Sequence, residues 1–391
     1  MTPTTSLLRP VVNRETRPIP LGATVSPEAV ATVKALRWHG RGDVRLDDVE
    51  PPGPPAPGEV QLAVGCCGIC GTDVEEWREG PFMIPTTPHP LSGASAPLTL
   101  GHELAGRVMA SGEPTPARTA ADPALSPGDL VAVDGLVSCG WCRQCRRHQP
   151  NLCATFGQVG LMRDGGLQPV VNVPASACLP MPVGLDLEAG AVAETLSVGV
   201  RALRRGRLVP GDRVAIVGGG AVGLLAAQAA RAMGCGTITV VEPIATRRAL
   251  AESLGVDRTV DPTDAGTEAT TLGADLVLEC AGHADAVTMA IALAGPAGRV
   301  VLVGIGRERP ALDLWDLVRH EKELIGSFSH IGAEDFTGAL SMLSTGAIQY
   351  RPLLTRVDLD QALDHGLLAL AEHPADYLKI VVSPGDRSEA S

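Results

Sequence analysis

Aromatic residues are scarce in this chain of 391 residues, since Phe, Trp and Tyr together make up only 3%. The cores must therefore be packed mainly from aliphatic side chains, which suits parallel sheets that are covered on both faces. A chain of this length is also long for a single core. Two domains are expected.

Positive charge is also in short supply, because 32 Lys and Arg residues face 44 Asp and Glu residues and the net charge is -12. A nucleic-acid-binding surface needs clustered Lys and Arg to neutralise phosphates, so this class of function is excluded. No apolar run has the length of a bilayer span, and residues 1–32 lack the features of a secretory signal. We expect a cytoplasmic protein without nucleic-acid or membrane partners.

The pattern of apolar, glycine and proline residues along the sequence predicts an α/β protein with five segments. Residues 1–32 have no sustained periodicity and are expected to form a disordered tail. Short alternating strands predict an antiparallel, mainly-β domain over residues 33–184. Repeats of strand, glycine turn and helix predict a doubly wound parallel sheet over residues 185–325. Residues 326–385 are expected to pack back onto the first domain, and residues 386–391 form a second tail.

A glycine motif directly follows the apolar strand R-V-A-I-V and precedes a strong helix-forming run: Gly218, Gly219, Gly220, Ala221, Val222 and Gly223. Strand, turn and helix thus occur in the order that a dinucleotide site requires. Gly218 allows the tight turn, Gly220 lets the backbone approach the pyrophosphate, and Gly223 permits close helix packing. The motif predicts a bound nicotinamide dinucleotide.

Glu242 ends the next strand, about 20 residues past the motif, where a carboxylate binds the ribose hydroxyls and repels a 2'-phosphate. This placement favours NAD over NADP. Arg247 and Arg248 follow one turn later and would suit a phosphate, so NADP stays an alternative. An exposed glutamate beside a packing turn is the other interpretation. The strand ends near Cys280 and Val303 are expected to border the nicotinamide ring.

Ten cysteines in a cytoplasmic protein are better explained as metal ligands or small buried residues than as disulfides. Four of them lie close together in one Gly-, Arg- and Pro-containing loop: Cys139, Cys142, Cys145 and Cys153. Four thiolates suit a closed tetrahedral zinc site with a structural role. An iron–sulfur cluster and four incidental core cysteines are the alternatives.

A second set of metal-ligand residues is dispersed, with Cys70 in G-I-C-G-T-D, His102 and Glu103 in G-H-E, and Glu194 in A-E-T-L-S. A single histidine or cysteine of this kind is more often structural than a ligand. Their joint occurrence ahead of a dinucleotide motif favours a catalytic zinc, which needs about three protein ligands and one open position.

At these residues the chain resembles the zinc-containing medium-chain alcohol dehydrogenases over residues 33–384. Within that family it is most similar to the branch of butanediol, sorbitol and threonine dehydrogenases. The shared segments are A-L-R-W-H-G, E-G-P-F-M-I-P-T-T-P-H-P-L-S-G, L-E-C-A-G, V-G-I and Y-L-K-I-V-V-S-P. The resemblance implies a GroES-like catalytic domain and a Rossmann domain, with the active site between them.

The resemblance also implies roles for individual residues. Cys70, His102 and Glu194 become ligands of the catalytic zinc, with Glu103 as an alternative or exchanging ligand. Thr72 becomes the hydroxyl that begins the proton relay.

Three positions depart from the family pattern. Glu75 stands where a relay histidine is frequent, Thr195 replaces a proline, and Leu167 replaces an aromatic residue. These departures affect proton transfer and pocket shape rather than the metal ligands. Because the resemblance begins at residue 34, the natural product is expected to begin at Val33.

The expected activity is NAD-linked oxidation of a secondary alcohol in a vicinal diol, of the 2,3-butanediol and acetoin type. The segment 80–99 favours this substrate by resemblance alone. L-Threonine, a polyol such as sorbitol and an aminocyclitol remain alternatives. A zinc-free reductase of the same superfamily and a non-catalytic NAD-binding protein of the lens-crystallin kind are disfavoured by the intact ligand sets. We expect a homo-oligomer, a dimer or a tetramer.

Overall fold

A computed structural model describes residues 32–113, 125–264 and 272–385. Apart from residue 32, the two predicted tails lie outside these residues. The strands are β1 (Val33–Gly40), β2 (Asp43–Val49), β3 (Glu59–Ile69), β4 (Leu98–Thr99), β5 (Glu103–Ser111), β6 (Leu130–Val133), β7 (Leu136–Val137), β8 (Gly157–Gln158), β9 (Val170–Pro174), β10 (Cys178–Pro180), β11 (Arg213–Val217), β12 (Thr237–Val241), β13 (Arg258–Val260), β14 (Ala274–Glu279), β15 (Ala294–Leu302), β16 (Glu323–Gly326), β17 (Leu354–Asp358) and β18 (Lys379–Ser383).

The helices are α1 (Gly71–Glu79), α2 (Leu187–Arg205), α3 (Ala221–Ala232), α4 (Ala245–Ser253), α5 (Ala284–Leu293), α6 (Leu314–Arg319), α7 (Thr337–Ser344) and α8 (Ala369–Glu372). Within the described ranges, none of them combines the length and the apolar character that a bilayer-spanning segment needs.

The first domain is built from β-sheets. A small sheet has the strand order β2-β1-β4, and a larger one has the order β10-β6-β5-β3-β18-β17, with β9 also paired to β3. Alternation along β3 buries Val60, Leu62 and Val64 almost completely. Because successive residues of a strand point to opposite faces, this pattern directs one face of β3 into the core.

The second domain contains a six-stranded parallel sheet with the order β13-β12-β11-β14-β15-β16. Val214 and Ile216 pack with residues of α2 and α3, whereas Ala215 and Val217 pack with residues of α5. Both faces of the sheet are therefore covered by helices, and the strand order reverses between β11 and β14. Ligands of doubly wound sheets bind at this reversal, beyond the carboxyl ends of the strands. The predicted fold class is confirmed.

Two short strands of this sheet, β13 and β16, were not predicted from the sequence. β13 has three residues and β16 has four, and each strand buries a single residue, Val260 in β13 and Ile325 in β16. Neither carries the apolar run that identifies a buried parallel strand.

Residues beyond 326 divide between the two domains. β17 and β18 join the first-domain sheet, where β18 pairs antiparallel with β3. Helix α7 instead packs on α2, and its residues Ala339, Leu340 and Leu343 belong to the core cluster that contains Leu224. The apolar face of α7 explains why this part does not return to the first domain.

Helix α2 positions residues between the domains. The side chain of Asp186 caps its first turn by accepting a hydrogen bond from the Ala189 N–H at 2.8 Å. The helix contacts β5 and β3 on one side and α3 and α7 on the other. Glu194, in the middle of α2, consequently faces the region where the domains meet.

Candidate active site

A cleft of about 660 Å³ lies between the domains. Cys70, Thr72 and His102 line it from the first domain. Ala221 and Val303 line it from the second domain, beyond the carboxyl ends of the parallel strands. The cleft thus brings the dispersed candidate ligands and the candidate dinucleotide site into one space.

Cys70, His102 and Glu103 form a compact cluster in the wall of this cleft. A sulfur, an imidazole nitrogen and a carboxylate oxygen from these residues lie within 4.8 Å of one another. Cys70 is the N-cap residue of α1, where the helix dipole favours negative charge. Gly101 precedes His102 with a φ of 98°, a conformation that only glycine adopts readily. We refer to Cys70, His102 and Glu103 as the cleft cluster.

Asp73 supports two members of the cleft cluster. Its Oδ2 accepts a hydrogen bond from the Cys70 N–H at 2.9 Å, and its Oδ1 lies 3.6 Å from His102 Nδ1. Both Asp73 and His102 are buried. A carboxylate beside one ring nitrogen orients a histidine so that the other nitrogen is available to a metal. The donor set and the open cleft side therefore fit a catalytic zinc.

The Glu103 carboxylate is held by two other side chains. Lys379 Nζ, at the start of β18, donates to its Oε1 at 2.6 Å and to its Oε2 at 2.7 Å. Thr195 Oγ1 donates to Oε1 at 3.0 Å. The threonine that replaces the family's proline thus helps to fix the Glu103 carboxylate. Burial by itself would raise the pKa of Glu103, but the charges of Lys379 and His102 and the hydrogen bonds from Lys379 and Thr195 together outweigh it and lower the pKa.

Glu194 lies outside the cleft cluster, although the resemblance placed it ahead of Glu103 as a zinc ligand. Its side chain lines the cleft, and its Oε1 is 3.7 Å from His330 Nδ1. Burial raises the pKa of Glu194, in contrast to Glu103. The structure groups Glu103, rather than Glu194, with Cys70 and His102.

The three remaining positions singled out in the first domain have different surroundings. Thr72 lines the cleft with its Oγ1 3.7 Å from Cys70 Sγ. Glu75 lies at the cleft with an exposed side chain, and partial burial of its carboxyl raises its pKa against the opposing charge of Arg307. Leu167 is fully buried in the first core. This departure thus fills the core and leaves the cleft wall unchanged.

The four cysteines of the loop 139–153 form a second cluster, the thiol cluster, with no disulfide among them. Cys145 Sγ lies 3.9 Å from Cys139 Sγ and 3.5 Å from Cys142 Sγ. Cys142 Sγ lies 4.0 Å from Cys153 Sγ. Sulfurs around a tetrahedral zinc with Zn–S bonds of about 2.3 Å are about 3.8 Å apart, so the spacing fits.

Backbone N–H groups surround the thiol cluster. The N–H groups of Cys139 and Cys142 donate to the sulfurs of Cys153 and Cys139, both at 3.3 Å. Hydrogen bonds from the backbone of Ala154 and Cys145 lower the pKa of Cys142 to about 6, whereas burial raises the pKa of Cys145 to about 11. The loop by itself lowers the pKa of one thiol and raises that of another, and a bound cation would favour the thiolate form of all four.

The glycine motif has the geometry of a dinucleotide turn. Gly218 has a φ of 104°, and a side chain at Gly223 would collide with the Gly218 carbonyl oxygen. Gly220 precedes α3 and has open space where a side chain would lie. Ala221 and Val222 begin α3 and line the cleft. The free N–H groups of this helix terminus suit a phosphate.

Glu242 is fixed at the end of β12, because its carboxylate accepts hydrogen bonds from the N–H groups of Gly219 at 2.7 Å and Ile244 at 2.9 Å. Arg248 donates to the Glu242 carbonyl at 2.6 Å and to Asp261 at 2.9 Å.

Arg247 crosses the cleft and donates to the carbonyls of Pro374 and Tyr377. Both arginines that would suit a 2'-phosphate therefore already have protein partners. Cys280 and Val303 both line the cleft, at the ends of β14 and β15.

Comparisons with known proteins agree with this arrangement. The family model of the alcohol dehydrogenase GroES-like domain matches residues 56–183, and that of the zinc-binding dehydrogenases matches residues 221–345. The (R,R)-butanediol dehydrogenase of Bacillus subtilis is 33% identical over 363 residues, which are 90% of this chain and 100% of that protein. The chain belongs to the zinc-containing medium-chain alcohol dehydrogenases. It is an oxidoreductase that acts on CH–OH groups.

Two further proteins are similar to this dehydrogenase. The sorbitol dehydrogenase of Macaca fascicularis is 31% identical over 348 residues, covering 84% of this chain and 90% of that protein. The crystal structure of a zinc-binding dehydrogenase from Sinorhizobium meliloti, bound to NADP, has a TM-score of 0.80 and 32% identity. It covers 90% of this chain and 100% of that one.

Four residues at or beside the dehydrogenase's site had no role predicted from the sequence. Asp73 and Lys379 contact the cleft cluster, His330 lies behind Glu194, and Asp134 lies 2.8 Å from His330. Asp73 stands three positions after Cys70, so the capping pattern of α1 was the signal for it. The other three carry no local signal, because their partners are far away in the chain. Lys379, for example, contacts a residue 276 positions earlier.

Proposed function

We propose that this dehydrogenase is a zinc-dependent, NAD-linked secondary alcohol dehydrogenase that interconverts a vicinal diol and its hydroxyketone, of the 2,3-butanediol and acetoin type. The observation that carries the proposal is that the cleft cluster and the glycine turn face the same cavity. The similarity to (R,R)-butanediol dehydrogenase supports the substrate class.

The proposal assigns two zinc ions. The cleft cluster holds the catalytic ion and the thiol cluster holds a structural one. When bound in the cleft, zinc supplies a Lewis acid that lowers the pKa of a substrate hydroxyl. Lys379 offsets the charge of Glu103. The Thr72 hydroxyl would accept the substrate proton at Oγ1 while passing its own proton on towards solvent. Glu194 stays available in the cleft wall beside the cleft cluster.

The proposal assigns NAD as the cofactor. Bound NAD supplies the hydride acceptor. The residues that would hold it are the N-terminus of α3 at the pyrophosphate, Glu242 at the adenosine ribose, and Cys280 and Val303 beside the nicotinamide ring. A 2'-phosphate would meet the carboxylate of Glu242, and Arg247 and Arg248 would have to leave their partners to bind it.

A substrate screen tests the proposed function. The purified enzyme is assayed for NAD and NADP reduction with (2R,3R)-butanediol, sorbitol, L-threonine and an aminocyclitol. We expect the highest kcat/KM with butanediol and NAD. Sorbitol is the second candidate, because sorbitol dehydrogenase is also among the similar proteins. Failure to oxidise any of these alcohols with either cofactor would contradict the proposed reaction.

We also propose that the enzyme is a homo-oligomer, a dimer or a tetramer. Leu314, Trp315 and Val318 expose 67%, 71% and 75% of their surface, and they precede the sheet-edge strand β16. Apolar patches of this kind are typical of protein interfaces. Native mass spectrometry measures the state, and a monomer at micromolar concentration would contradict it.

A further inference from the structure

A buried row of three ionisable residues lies beside the cleft cluster. His330 Nε2 is 2.8 Å from Asp134 Oδ1, and His330 Nδ1 is 3.7 Å from Glu194 Oε1. The histidine is fully buried, and the other two are also buried. Asp134 follows β6, Glu194 lies on α2, and His330 follows β16. Three separate parts of the fold therefore meet at this row.

The histidine is held firmly in place. Asp134 Oδ1 also accepts the Leu136 N–H at 3.0 Å, which fixes the carboxylate. The ring of Phe336 packs against His330 with a centroid separation of 5.6 Å. Asn151 donates to the Phe328 carbonyl at 2.8 Å and so ties the segment before His330 to the loop of the thiol cluster. The side chain of His330 has little freedom to turn away from Glu194.

The row contains one hydrogen bond, between His330 and Asp134, and it orients the ring so that its other nitrogen lies toward Glu194. Because the carboxylate of Asp134 only accepts, Nε2 carries the proton of that hydrogen bond. Nδ1, the other ring nitrogen, lies 3.5 Å from Ser329 Oγ and 3.7 Å from Glu194 Oε1, and a ring protonated at both nitrogens attracts the Glu194 carboxylate. Removal of Asp134 would allow the ring to rotate and would release this orientation.

Glu194 differs from its neighbour Glu103 in the hydrogen bonds that its carboxylate receives. Glu103 receives hydrogen bonds from Lys379 and Thr195. In the described part of the chain, no hydrogen bond reaches the Glu194 carboxylate, although Glu194 is only 6% exposed. A buried carboxylate without donors is costly. A cleft-lining carboxylate in this condition gains most from a ligand that brings its own donor, such as a hydroxyl group.

We propose that Asp134 and His330 are positioning residues that hold the Glu194 carboxylate in the cleft wall, where it accepts a hydrogen bond from the hydroxyl adjacent to the reacting carbinol. This inference rests on the proposed function, because it needs an alcohol bound in the cleft. It assigns to Glu194 the recognition of the second, neighbouring hydroxyl of the proposed vicinal diol. A simple secondary alcohol has no second hydroxyl for Glu194 to bind, so its binding does not depend on Asp134 and His330.

The test compares two alcohols that differ by one hydroxyl, (2R,3R)-butanediol and 2-butanol. In His330→Ala, the KM for the diol is expected to rise by about tenfold to a hundredfold, the scale of a lost hydrogen bond to a charged group. The kcat/KM for 2-butanol is expected to stay within about twofold of the wild-type value. Zinc content, measured separately, should be unchanged in the variant.

Glu194→Gln and the double variant show whether His330 acts through Glu194. Glu194→Gln should also lose diol preference, and adding His330→Ala to it should cause no further loss. His320→Ala is the matched control, since His320 forms a 2.8 Å pair with Asp316 away from the cleft. His320→Ala should leave KM and kcat/KM unchanged for both alcohols. If His330→Ala does not fold, Asp134→Asn, which keeps the shape of the side chain, gives the same comparison.

The outcomes separate this inference from the proposed function. If wild-type enzyme oxidises neither alcohol, the proposed function fails and the inference fails with it. The other case is that wild type oxidises both alcohols. If His330→Ala or Asp134→Asn then lowers kcat/KM equally for the two alcohols, or leaves the KM for the diol unchanged, only the positioning role is overturned. A double variant with a much greater loss of diol preference than Glu194→Gln would also overturn the positioning role.

Discussion

The two candidate metal centres differ in how the chain assembles them. The thiol cluster takes all its donors from one short loop, 139–153, and surrounds them with backbone N–H groups. The cleft cluster takes Cys70 from the start of α1 and His102 and Glu103 from the start of β5, and it borders a cavity. The first arrangement suits a closed metal site, whereas the second suits a site with one open position.

The surroundings of the two clusters differ as well. Four donors of one kind suit a closed site, and we propose that the thiol cluster serves folding. The cleft cluster combines three kinds of donor and is flanked by Lys379, Asp73 and Glu194, whose charges the surrounding fold arranges. The comparison teaches that a stabilising centre is local in sequence, whereas a catalytic one draws on distant segments. Four substitutions test this division.

Cys70→Ala has the largest expected effect, a loss of more than about 10³-fold in kcat, because the cleft cluster loses its thiolate and with it the Lewis acid. The melting temperature should stay close to that of wild type. Cys235→Ala, which removes a buried cysteine of the second core, is the matched control and should remain active. A fully active Cys70→Ala enzyme would show that the cleft cluster is not the catalytic centre.

Cys145→Ala should act on stability rather than on chemistry. Loss of one thiolate weakens the structural ion, and we expect the melting temperature to fall by about 5 to 10 °C. Differential scanning fluorimetry measures this, with zinc content on the same sample. At a temperature where the variant is folded, kcat should change little. An unchanged melting temperature would mean that the loop holds itself without a metal.

Thr72→Ala should slow alcohol oxidation by about 10²-fold, the typical scale of acid–base assistance, because Thr72 is the hydroxyl nearest Cys70 in the cleft. Glu75→Gln, on the same helix, serves as its control and should leave the pH profile of kcat nearly unchanged, since the side chain is exposed. The opposite pattern would assign the relay to Glu75, whose raised pKa would then be functional.

Glu242→Ala has the smallest expected effect, a narrowing of the NAD to NADP preference by about tenfold, because one charge that repels a 2'-phosphate is removed. The ratio of the two kcat/KM values is the measurement. Glu252→Ala, on the exposed side of α4, should leave the ratio unchanged. If wild type already uses NADP as well as NAD, the role given to Glu242 is wrong.

Sequence reasoning was strongest where the chemistry is local. The spacing of the four cysteines and the order of strand, glycine turn and helix each lie within about 25 residues, the length over which local motifs operate. The parallel sheet was predictable for the same reason, because its long strands are continuous apolar runs. The short strands β13 and β16 lacked that signal.

Sequence reasoning was weakest where distant segments meet. The choice between Glu103 and Glu194 depends on Lys379, which comes from the other end of the chain. His330 carries no motif, and only the packing of the segment after β16 against β6 and α2 brings it to Glu194. Charges that neutralise or orient a ligand follow from tertiary packing, and no spacing rule predicts them.

The central claim, that one chain holds two centres with separate roles, is tested most directly by counting zinc. Inductively coupled plasma mass spectrometry is applied to dialysed wild-type enzyme, to Cys70→Ala and to Cys145→Ala. We predict two zinc ions per chain in wild type and about one in each variant, with the Cys70→Ala protein inactive but thermally stable. One zinc or none in wild type, or a Cys70→Ala protein that keeps both ions, would contradict the claim.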